Sequence, residues 1–105
     1  MGWTEDSIPR HARGKQEMRT LAVSTFSALE AAEFTDLIAQ LRVRVFDRGP
    51  ATLFDVDQVE DGWQWSFKPM VELLLRHILE VTADTSRTSM QRQREILEAM
   101  ELVGF

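Results

Sequence analysis

Between Arg42 and Phe67 polar and apolar residues alternate in three short runs separated by turn residues. The runs are Arg42-Val43-Arg44-Val45-Phe46, Leu53-Phe54-Asp55-Val56-Asp57 and Trp63-Gln64-Trp65-Ser66-Phe67. Gly49-Pro50 and Asp61-Gly62 punctuate them. A period of two places alternate side chains on opposite faces of an extended chain, and glycine and proline mark the reversals. The pattern predicts an antiparallel sheet of about three strands. Val43, Val45, Phe54, Val56, Trp63, Trp65 and Phe67 would point to one face, and Arg42, Arg44, Asp55, Asp57, Gln64 and Ser66 to the other. The first run has a second reading. Phe34, Ile38, Leu41 and Val45 keep helical spacing, so residues 41–46 also fit as the end of a helix.

The flanks read as helical. Met18, Leu21, Ala22, Phe26 and Leu29 make one apolar stripe, and Phe34, Leu37, Ile38, Leu41 and Val45 make another. The two are out of phase, so the chain must break or rotate between them. Ser27-Ala28-Leu29-Glu30 fits a capping box, which would begin a helix at Ala28 and carry it to about Leu41. Residues 16–26 then form a separate element, read as helix in preference to the strand that Val23 and Thr25 would also suit. Pro69 sits where a first helical turn accepts it. Met70 to Ala83 is the clearest helix, with Met70, Val71, Leu74, Leu75, Ile78 and Val81 on a broad apolar arc and Glu72, Arg76 and Glu80 opposite. A polar loop at 84–87 follows. Thr88 can cap a last helix whose buried stripe is Ile96, Leu97, Met100 and Val103, with Gly104 at its stop.

The fold expected is therefore α+β: a short antiparallel sheet of about three strands against three to four helices, in one domain over residues 15–105. Residues 1–14, polar and without periodicity, read as a flexible N-terminal tail. With 105 residues, 44% of them apolar, the chain has enough material for one core. There is no cysteine, hence no disulfide framework and no thiolate metal site, which fits a cytoplasmic location. No run of 18 apolar residues occurs to span a bilayer, and the first residues lack the pattern of a signal peptide.

Charge excludes more than it specifies. The net charge is −5, and the basic groups are few and scattered, whereas a duplex-binding surface concentrates them. Nucleic-acid binding through Arg10, Arg13, Lys15, Arg19, Arg42 and Arg44 is accordingly the minor alternative. Residues 41–50 carry three arginines and one aspartate (+2), while 51–67 carry four carboxylates and no cation (−4). This two-signed stretch suits either ion pairs across the sheet, Arg42 and Arg44 with Asp55 and Asp57, or steering of a charged protein partner. Trp63 and Trp65 read first as core and second as anchors for a partner.

Catalytic constellations are missing. There is no tyrosine or cysteine, no glycine-rich phosphate loop and no metalloprotease or nucleophile-elbow motif, and His11 and His77 are the only imidazoles. His77 with Glu80 and Asp84 is an incomplete ligand set for a metal, so His77 reads as a packed histidine. The segment from Asp55 to Gly62 misses the spacing of a calcium loop. No cofactor is expected. The expectation is a small acidic, non-enzymatic protein-interaction module, an adaptor, inhibitor or regulatory subunit of bacterial or phage type. Its candidate partner-binding residues are Arg42, Arg44, Asp55, Asp57, Trp63 and Trp65. The alternative is a structural homo-oligomer joined through the C-terminal helix, with no membrane contact in either case.

Overall fold

The computed structural model describes residues 16–48, 53–59 and 62–103. In chain order these form α1 (Gln16–Ala31), α2 (Thr35–Leu41) continued by a π-helical turn (Arg42–Phe46), β1 (Phe54–Val59), β2 (Gly62–Phe67), α3 (Pro69–Ala83) and α4 (Ser89–Val103). The protein is mostly helical, and its only sheet among the described residues is the β1–β2 pair. The expected α+β fold with a three-stranded sheet is corrected on this point. The predicted tail at 1–14, the turn at Gly49-Pro50 and the stop at Gly104 lie outside the described residues.

The missing strand is Arg42–Phe46. On a strand, Val43 and Val45 would share a face. Here Val45 is fully buried and Val43 is 62% exposed. The Asp47 N–H donates to the Arg42 carbonyl (2.7 Å), an i+5 bond that widens the last turn of the helix. That extra residue lets Leu41, Val45 and the adjacent Phe46 all reach the core, where the Phe46 ring lies 5.2 Å from that of Phe26. Three large apolar side chains buried on a helical face outweigh the local alternation.

α1 runs unbroken through Ser27, so the capping box predicted there is not used. Met18, Ala22, Thr25, Phe26 and Leu29 form one continuous buried stripe, and ending the helix at Phe26 would divide it. Buried Thr25 satisfies its hydroxyl by donating to the Leu21 carbonyl (2.8 Å). The break between the two stripes comes later. Glu33 has φ 63°, its N–H donates to the Glu30 carbonyl (3.0 Å), and the Phe34 N–H donates to the Leu29 carbonyl (2.9 Å). This is a Schellman ending with Glu33 in the left-handed position, and buried Leu29 and Phe34 are its apolar pair.

α3 begins at Pro69 after an extended Lys68 (φ −54°, ψ 141°), the geometry proline imposes on its predecessor. It buries Val71, Leu74, Leu75, Ile78 and Val81 and packs between α1 and α4. Met70, expected on that arc, is exposed. α4 starts as a reciprocal capping box. The Gln91 N–H donates to Thr88 Oγ1 (3.2 Å), and the Thr88 N–H donates to Gln91 Oε1 (3.1 Å). Ile96 and Met100 are its buried residues, while Leu97 and Val103 pack at the core's margin.

Candidate functional site

β1 and β2 pair antiparallel in the register Phe54↔Phe67, Asp55↔Ser66, Val56↔Trp65, Asp57↔Gln64, Gln58↔Trp63 and Val59↔Gly62. Apolar residues thus oppose apolar ones at two of these positions and polar oppose polar at two others, as the alternation in these runs implies. The base of the hairpin is fixed to the core. The Phe54 and Phe67 rings, both buried, stack in parallel at 5.3 Å, and the Lys68 N–H donates to the Leu53 carbonyl (2.7 Å). Beyond each strand, among the described residues, no further strand continues the sheet. Among the described residues, each strand therefore has a ladder neighbour on one side only.

The six predicted partner-binding residues divide between two places. Asp55 is exposed on β1, opposite Ser66. Asp57, Trp63 and Trp65 have assigned backbones in the hairpin, but the prediction that the tryptophans face the core concerns side chains outside those described. Arg42 and Arg44 sit on the π-helical turn, each half-buried. The predicted pairing of these arginines with Asp55 and Asp57 across a hairpin presupposed a strand at 42–46, and that strand does not exist.

His77 lies at the margin of the α3 apolar arc. Its Nε2 is 4.0 Å from Glu95 Oε1 on α4, and Arg87 bridges Glu95 to Asp84. Arg87 Nε is 3.2 Å from Asp84 Oδ2. The Ser86 hydroxyl and then the Ser86 N–H, both donating to Asp84, hold its carboxyl below the ordinary aspartate range, and Arg87 and Arg92 add to the effect. This network closes the α3–α4 loop. Among the described residues no group of three or more His, Cys, Asp or Glu is placed to hold a metal ion. No helix among them is long and apolar enough to cross a membrane.

Two features escaped the sequence. Arg92 on α4 donates to the Thr82 carbonyl (2.7 Å), one of the free carbonyls at the end of α3, and its guanidinium lies over the Phe34 ring at 5.3 Å. The second is an open groove of about 510 Å³ lined by Ser89, Met90, Gln93, Arg94 and Leu97 on the outer side of α4. The seven-residue interval between Met90 and Leu97 signals this face, but the stronger Ile96/Met100 stripe masks it. A smaller groove of about 370 Å³ lies between α1 and α3, lined in part by Glu17, Leu21, Arg76 and Leu79. Comparison with known proteins finds no matching family model, no matching curated protein and no matching solved structure.

Proposed function

We propose that this chain is a non-enzymatic, cytoplasmic protein-interaction module, an adaptor, inhibitor or regulatory subunit, that receives an extended basic segment of its partner along the free edge of β1. The observation that carries the reading is the two-stranded sheet, to which no third strand is added among the described residues. A hairpin alone is marginal, and a third strand added from a partner supplies the missing ladder bonds. Charge selects β1 and the sign of the segment. β1 carries Asp55 and Asp57 and no cation, while β2 carries no charged residue at all. A lysine- or arginine-bearing strand beside β1 gains cross-strand attraction, and an acidic one is repelled. Trp63 and Trp65 on β2, with Arg42 and Arg44, enter the proposal as flanking contacts to the body of the partner.

The test is fluorescence anisotropy with two labelled peptides of alternating valine or threonine with lysine in one and glutamate in the other. Binding of the lysine peptide alone supports the reading. The double substitution Asp55→Lys/Asp57→Lys is expected to weaken that binding at least tenfold with an unchanged melting temperature. Equal binding of both peptides, or of neither, removes the strand-addition proposal, and an equal loss of folding assigns the two aspartates to structure.

A further inference from the structure

We propose that two copies of this chain pair through the outer face of α4, with the helices antiparallel and a two-fold axis passing at Leu97. The face lies beside the one that builds the core, and Leu97 stands at the border between them. Ile96 and Met100 point inward and are buried. Met90, Arg94, Leu97 and Glu101 follow one another at intervals of four, three and four residues, which makes a single stripe along the helix. Met90 is 69% exposed, and Leu97 is half-buried and lines the same groove. A methionine and a leucine one heptad apart, flanked by charges, have the layout of a helix–helix seam.

Charge complementarity picks the occupant. Arg94 stands three residues before Leu97 and Glu101 four residues after it, and neither has an ion-pair partner among the described residues. When Leu97 of one copy meets Leu97 of a second across an antiparallel contact, Arg94 of each comes beside Glu101 of the other. A parallel contact sets arginine against arginine and glutamate against glutamate. The stripe is thus complementary to itself only under a two-fold operation, the condition for an isologous dimer. The antiparallel arrangement also sets the two helix dipoles head to tail. One face of a 15-residue helix buries less than the roughly 1,200 Å² of a stable interface, so the dimer is weak and forms only at high concentration. This contact is independent of the hairpin edge, and either stands without the other.

Sedimentation velocity from micromolar to millimolar protein at low salt tests it, with melting curves of dilute samples to verify folding. The wild type is expected to move from monomer to dimer across that range. Arg94→Glu and Glu101→Arg, made singly, each place like charges together and are expected to weaken the dimer by about tenfold or more. The combined Arg94→Glu/Glu101→Arg swap is expected to restore it. A monomer at every concentration overturns the proposal and leaves the groove to a different protein. A dimer indifferent to the single reversals, or not recovered by the swap, overturns the α4 interface.

Discussion

At the scale of single residues the sharpest feature is Glu33. Its backbone occupies the left-handed region, where a side chain costs about 1 kcal/mol relative to glycine. The position is nonetheless held, because the two Schellman hydrogen bonds and the buried Leu29–Phe34 pair fix the exit of α1. Glu33 is exposed, and its carboxylate takes no part in those bonds. Glu33→Gly is therefore expected to stabilise the protein by about 1 kcal/mol, a rise of about 4–8 °C in melting temperature for a domain of this size. Glu33→Val, whose branched Cβ suits this region least, is expected to lower it. Thermal melts of the three proteins, followed by circular dichroism at 222 nm, check both signs. The sequence disguised this site, because the residue that ends α1 is neither of the two, glycine and asparagine, that usually mark such an ending. Serine and glutamate three residues apart, at Ser27 and Glu30, imitated a helix start nearby.

Among elements, the joint between α3 and α4 depends on Arg92. One guanidinium nitrogen takes up a free carbonyl at the end of α3, and the plane of the group covers the Phe34 ring that leads into α2. A cation at a helix C-terminus also complements the dipole. Arg92→Ala is expected to cost about 2 kcal/mol, from the charged hydrogen bond and the lost stacking together. Arg92→Lys is expected to recover only a minor part, since an ammonium lacks the planar fork that serves both contacts. Urea denaturation with a common slope measures both. α3 and α4 themselves were legible in the chain: Pro69 and the Thr88–Gln91 box mark their starts, and each has an apolar stripe of several turns. The segment 42–46 was not. Five residues are too few to separate a period of two from a helical turn when a π-type bond adds a residue, and burial of Val45 and Phe46 decided the matter. The hairpin was legible in its alternation. Its lack of a third strand among the described residues was not, because the same alternation suggested one at 42–46.

At the scale of the whole molecule, charge and contact are distributed unevenly. Arg42 and Arg44 were read from the sequence as sharing one polar sheet face with Asp55 and Asp57. The backbones of Asp55 and Asp57 belong instead to β1, and Arg42 and Arg44 to the helical turn that ends α2. The two proposed contacts lie on other parts of the molecule from that turn: a basic segment along β1, and a second copy on the outer face of α4.

The order of packing has a kinetic consequence. α1 touches α2, β1 pairs with β2, and α3 touches α4, each with its neighbour in sequence, while α1 on α3 and α2 on α4 join distant parts of the chain. Loop closure over short segments costs little entropy, so the contacts between neighbours in sequence can form before any long-range search. The hairpin and the two helical pairs are expected to form early, and docking of α1 on α3 across residues 32–68 to limit the rate. Refolding is then expected on a timescale of about a millisecond or faster. Truncating Phe26 to leucine is expected to slow refolding, and Leu97→Ala at the outer margin of α4 to leave it nearly unchanged while speeding unfolding. Stopped-flow or temperature-jump measurement of both limbs separates the two. A chain built this way spends little time with its apolar stripes uncovered, which limits its exposure to aggregation while it folds.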